Sequence, residues 1–205
     1  ALKKSWKEAI NAYRNGIQQT ASGELAVKIY AVLLAQNTAG EPQKFADSWL
    51  KDHPKDSRFR LYLAESATAR KDYPAAIRQY RALLDAQPDS PVLMNNLAWV
   101  MAQNKDPKAI DLAEKAYKLA PDQPSIADTL GTLLVAKGDT ERGLELMRKA
   151  SSLAPKDPGI KLNLAKALIK AGKNPDAKKE LDELAALGDK YPASKEVQEL
   201  LQGLK

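Results

Sequence analysis

The 205-residue chain has no cysteine and one histidine, His53. The first absence excludes disulfides and thiolate chemistry, and it suits the cytoplasm and the periplasm equally. With one histidine, a two-histidine metal site cannot be built from this chain. A Ser–His–Asp arrangement would have to use His53, which stands before Pro54 in a turn. Neither a G-x-x-x-x-G-K phosphate loop nor a dinucleotide glycine fingerprint occurs. No apolar run approaches the ~20 residues of a membrane-spanning helix, and no secretory leader is visible. Phenylalanine and tryptophan are scarce, at 2 and 3 residues, and no basic stripe is interleaved with aromatics. Nucleic acid is therefore not expected as a partner. The net charge of +6 comes from lysines and arginines mixed among acids. That pattern reads as a solvated helical surface, with a weak preference for anionic partners. Carboxylate pairs such as Asp182 and Glu183 have lysine neighbours, and none is nominated for acid–base work. The chain is expected to hold no catalytic residue, cofactor or metal.

Alanine, leucine and lysine dominate, which favours helix over strand. A short signature recurs: a small residue, a larger or apolar one four positions on, another apolar or small one three further, then proline. It occurs as Ala76, Tyr80, Leu83, Pro88; as Ala109, Ala113, Ala116, Pro121; and as Gly143, Met147, Ala150, Pro155. A last copy, Ala177, Leu181, Leu184, reaches Asp189 where the others reach proline. A period near 34 residues with this pattern is the tetratricopeptide (TPR) signature, two antiparallel helices per repeat. The expected fold is an all-α TPR solenoid of about five helix pairs. Its repeats run 23–56, 57–90, 91–123 (one residue short), 124–157 and 158–191. Residues 1–22 read as the second helix of a truncated repeat, with Trp6, Ala9, Ile10, Tyr13 and Ile17 as its apolar stripe. Residues 192–205 read as a polar-faced closing helix. The chain is thus expected to be the C-terminal piece of a longer repeat protein.

Local chemistry supports this phasing. Ser90-Pro91 and Asp157-Pro158 set a capping side chain before a proline at the first helical position. Asp106-Pro107 and Asn174-Pro175 are expected to do the same for second helices. Gly138 and Gly172 fall where a first helix should end in a left-handed residue. Ala98, Gly131 and Ala165 in first helices, with Ala76, Ala109, Gly143 and Ala177 in second helices, let paired helices approach closely. The missing residue of the third repeat is expected in the 104–107 turn or in the helix after it.

First helices of successive TPR repeats line a concave face. The repeat register places Tyr62 and Glu65 there, then Asn95, Asn96 and Trp99, then Asp128 and Thr132, then Asn163 and Lys166. Amides both donate and accept hydrogen bonds, as an extended peptide requires. Tyrosine and tryptophan carry much of the energy in interfaces. The same groups suit sugar rings, and Lys166 and Lys170 would suit an acidic polymer. A protein or peptide partner is favoured over a polysaccharide. A clamp for a C-terminal carboxylate is not expected: Leu61 and Glu65 stand where lysine and asparagine are needed before Asn96, and Asp128 and Thr132 stand there before Asn163.

The string from Asn95-Asn96-Leu97-Ala98-Trp99 through Ala113-Glu114-Lys115-Ala116-Tyr117 to Asp128-Thr129-Leu130-Gly131 is more particular. It resembles the C-terminal repeats of the TPR lipoproteins of PEP-CTERM/exosortase systems (the PrsT type). The resemblance implies a bacterial, lipid-anchored protein, periplasmic or held at the outer membrane, associated with exopolysaccharide production and PEP-CTERM protein sorting. It brings no catalytic residue, and no lipobox cysteine is visible.

Overall fold

The computed structural model describes residues 2–20, 22–37 and 39–204; the side chain of Ile17 lies outside the described part. Among the described residues the chain forms twelve α-helices and one 3-10 turn, without strands. Contacts divide it into two compact units, Ala1–Ala86 and Gln87–Lys205.

The first unit holds α1 (Leu2–Thr20), α2 (Gly23–Ala35), α3 (Glu41–Asp52), α4 (Ser57–Ala69) and α5 (Tyr73–Ala86). Ile10 of α1 is buried with Ile29 and Leu33 of α2, and Tyr13 packs against them. The centre of the unit is aromatic. Phe59 is fully buried, with Tyr30 edge-on to it at 5.8 Å and Phe45 at 6.0 Å. Asp56 joins two helix pairs. Its carboxylate accepts from the Trp49 indole Nε1–H at 2.8 Å and from the Phe59 N–H at 3.0 Å, so it caps α4 while holding α3.

The second unit holds α6 (Pro91–Gln103), α7 (Ala109–Leu119), α8 (Pro124–Lys137), α9 (Thr140–Leu153), α10 (Pro158–Lys170), α11 (Asn174–Ala185), the 3-10 turn Gly188–Lys190 and α12 (Ser194–Gly203). Ser90 caps α6 through the Leu93 N–H at 3.4 Å. Asp157 caps α10 more tightly, accepting from Gly159 N–H at 2.8 Å and Ile160 N–H at 3.2 Å. The Asn174 expectation differs: this residue is already the first of α11, and that end has no side-chain cap. Val197 of α12 is fully buried against Leu181 and Leu184 of α11, so α12 covers the last pair's apolar surface.

First helices end alike. Left-handed residues follow at Asn37, Lys71, Lys105, Gly138 and Gly172, with φ of 51°, 60°, 60°, 104° and 71°. The residue after each of the last four donates its N–H back across the helix end, as Asp106 does to Met101 O at 2.9 Å and Lys173 to Leu168 O at 2.9 Å. The sequence signals only the two glycines; the other three positions hold a side chain in a conformation that disfavours one.

These markers locate the missing residue. The small residue of the second helix follows the left-handed residue by five positions at Ala76, Gly143 and Ala177, but by four at Ala109. In the three full-length cases its N–H donates four residues back, to Asp72, Asp139 and Lys173. At Ala109 the N–H donates three residues back, to Asp106 O at 3.2 Å. The deletion is therefore absorbed in the turn entering α7, which begins at the small residue itself.

The α8–α9 pair is packed most tightly at Gly131 and Gly143. A Cβ added to Gly131 would lie 2.5 Å from Met147 Cγ and 2.7 Å from the Gly143 carbonyl oxygen. One added to Gly143 would lie 2.6 Å from Val135 Cγ2 and 2.7 Å from the Gly131 carbonyl oxygen. The α6–α7 and α10–α11 pairs have alanine at both places, each buried.

Candidate binding face

In the first unit, Tyr62 is half-buried and edge-on to Tyr30 at 6.1 Å, and burial pushes its phenol pKa up. Glu65 is exposed on the same helix. Burial also raises the Tyr80 phenol, with the Glu65 charge adding to the effect.

The other candidates belong to the second unit. On α6, Asn95 is buried and its Nδ2–H reaches Asn96 Oδ1 only at 3.5 Å, while its own Oδ1 has no hydrogen-bond partner. Asn96 is half-buried and Trp99 is 37% exposed. On α8, Asp128 and Thr129 are buried, Thr129 bonding back to Ser125 O at 2.9 Å. Asn163 of α10 donates its Nδ2–H to Asp128 Oδ2 at 2.7 Å. A carboxylate can only accept, so this bond fixes which way the Asn163 amide points. Asp128 Oδ1 is left unpartnered. Burial pushes the Asp128 carboxyl up to about 6; the Asn163 bond opposes this and the Asp157 charge adds to it.

Between α8 and α10 lies a pocket of 190 Å³. Its floor is apolar, with Val135, Met147 and Ala167 all buried; Thr132, Asn163, Lys166 and Lys170 stand at its rim. The structure thus brings Asp128, Thr132, Asn163 and Lys166 together. Both lysines are engaged: Lys166 Nζ lies 2.6 Å from Glu196 of α12, and Lys170 Nζ donates to the Val135 carbonyl at 3.1 Å. Sequence reasoning placed Val135 on the inward side but missed Met147 and Ala167 of the floor and the Glu196 contact, because these depend on which residues of separate repeats meet.

His53 lies against Trp49, ring centroids 3.9 Å apart. Among the described residues no group of three or more His, Cys, Asp or Glu is gathered for a metal, and no helix is long and apolar enough to cross a membrane.

Models described as tetratricopeptide repeat match residues 43–91, 72–124 and 134–202, most of the chain. The chain belongs to the tetratricopeptide repeat family. A TPR repeat-containing protein of Pseudomonas aeruginosa is 26% identical over 128 residues, 58% of this chain. The chain spans only 22% of that relative's length. Among solved structures, a thermophilic TPR protein of Thermus thermophilus superposes with a TM-score of 0.69 at 13% identity, covering 89% of this chain and 98% of its own. YrrB, described as a TPR protein with an unusual peptide-binding site, gives 0.57 at 15% identity, covering 92% and 98%. At these identities the likeness shows the fold, an all-α TPR solenoid.

Proposed function

We propose that this TPR protein is a non-enzymatic scaffold whose first-helix face binds a protein or peptide segment. The observation that carries this is the apolar-floored pocket between α8 and α10, rimmed by hydrogen-bonding side chains. Asn163 is oriented beside it by Asp128, and Asn96 and Trp99 stand on α6 of the same unit. Such a face offers an extended chain both apolar contact and amide partners. The peptide-binding site named for YrrB makes the reading natural for the fold.

The partner, in this reading, belongs to a bacterial envelope system for exopolysaccharide production and PEP-CTERM protein export. The protein then works in the periplasm or anchored at the outer membrane. The string from Asn95 to Gly131 supports this assignment.

The test is a pull-down from envelope extract with the wild-type chain beside the Asn96→Ala/Trp99→Ala double variant. The expected result is a protein retained by wild type and lost from the variant, with helicity by circular dichroism unchanged. Equal retention by both would remove Asn96 and Trp99 from the binding face. Retention of acidic polysaccharide instead would favour a glycan-binding module.

A further inference from the structure

The pocket between α8 and α10 carries information about the partner's chemistry. Its 190 Å³ is comparable to the roughly 150 Å³ apolar cavity that holds a benzene ring. It therefore has room for one large apolar side chain, resting on Val135, Met147 and Ala167. The rim carries two ammonium groups, Lys166 and Lys170, with the Asp128 carboxylate behind Asn163. The Lys170 ammonium donates to a neutral carbonyl there, which does not cancel its charge. The Lys166 ammonium is held by Glu196, and both side chains of that pair are more than 40% exposed. An ion pair so exposed is weak and readily exchanged. Glu196 thus occupies a position that another carboxylate could take.

Resting on the scaffold function proposed above, the geometry points to a specific occupant. The pocket takes a large apolar side chain of an extended partner segment. An acidic residue next to it displaces Glu196 from Lys166 and reaches Lys170. The Asn163 amide, held by Asp128, bonds the segment's main chain beside the pocket. Recognition is of an internal apolar–acidic pair.

The test uses the full chain and two fluorescein-labelled decapeptide pools, identical except for a fixed central Leu-Glu or Leu-Lys. Fluorescence anisotropy should show the Leu-Glu pool bound about tenfold more tightly, as charge complementarity across an interface gives. Glu196→Gln should tighten the Leu-Glu pool about two- to fivefold by freeing Lys166 from an exposed ion pair. The Lys166→Glu/Lys170→Glu variant should reverse the preference. NMR of the methyl, side-chain amide and indole N–H signals should place the bound peptide at Val135 and Met147. Equal affinity for both pools, or a Leu-Glu preference surviving the charge reversal, would overturn the inference. So would shifts confined to Asn96 and Trp99, but these would leave the scaffold function standing. If neither pool shifts any first-helix residue and the wild-type chain retains no envelope protein, the scaffold function fails with it.

Discussion

Replacing Gly131 by alanine puts the packing of α8 on α9 to a quantitative test. In an exposed helix the change would stabilise by about 1 kcal/mol, because alanine is the better helix former. Here the new Cβ meets Met147 Cγ at 2.5 Å and the Gly143 carbonyl oxygen at 2.7 Å. Methionine can bend aside, but a main-chain carbonyl on the facing helix moves only if the helices part. Overpacking of this kind costs roughly 1–3 kcal/mol, and a backbone wall places it at the upper end. The net expectation is a loss of about 1–2 kcal/mol. In thermal unfolding that is a fall of roughly 2–8 °C for a chain of this size. Gly203→Ala supplies the control, since nothing lies within 4 Å of its added Cβ; it should be neutral or stabilising by up to about 1 kcal/mol. Urea unfolding of both variants beside wild type, with m-values compared, is the assay. A Gly131→Ala protein at least as stable as wild type would refute the packing argument. An equal loss in Gly203→Ala would show that glycine is needed for some reason other than space.

Asp128 titrates at about 6 in the folded chain, above the ordinary aspartate value of 3.8. A raised pKa means that the folded state binds the proton more tightly, so stability should rise as pH falls from above 6 towards 4. At pH 7 the ionised group costs on the order of 3 kcal/mol relative to its protonated form. Denaturation at pH 7.5 and 4.5 should show this slope diminished in Asp128→Asn relative to wild type; an unchanged slope would remove Asp128 as its source. Asp157→Ala should cost about 1–2 kcal/mol through the lost α10 cap, more than Ser90→Ala with its longer bond, as read by urea unfolding. Lys105→Gly should stabilise by roughly 0.5–1 kcal/mol, because the position is left-handed, and differential scanning calorimetry would register the rise. Asp56→Ala, which removes both the α4 cap and the Trp49 bond, should cost about 2 kcal/mol, measurable by the same calorimetry.

Much of the fold was legible because a repeat writes the same physics several times. Small residues mark where paired helices touch, and a proline after Ser90 or Asp157 marks where a helix starts. One period therefore corrects the noise in another. The missing residue of the third repeat could be narrowed only to the 104–107 turn or the helix after it. Its resolution into a three-residue turn before Ala109 required backbone hydrogen bonds. Lys71 and Lys105 gave no sign of their left-handed conformation, since a neighbouring helix end imposed it against the residue's own preference. The candidate site was legible only as a face. Register places Asp128, Thr132, Asn163 and Lys166 on first helices, but not that Asp128 would hold Asn163 and lose its own solvation. Nor could it show Glu196 meeting Lys166, because that contact depends on how the closing helix docks.

The side-chain bonds that join neighbouring helix pairs of the second unit each span about one repeat along the chain. Arg142 to Glu114 covers 28 residues, Lys173 to Glu141 covers 32, and Asn163 to Asp128 covers 35. Each latch closes on the pair before it and needs nothing further downstream. During synthesis at about 5–20 residues per second, the next latch emerges within roughly 2–7 seconds of the last. Assembly can therefore proceed in the direction of translation, with each finished pair serving as the template for the next. The apolar surface that α11 presents on this route is the one that Val197 of α12 covers.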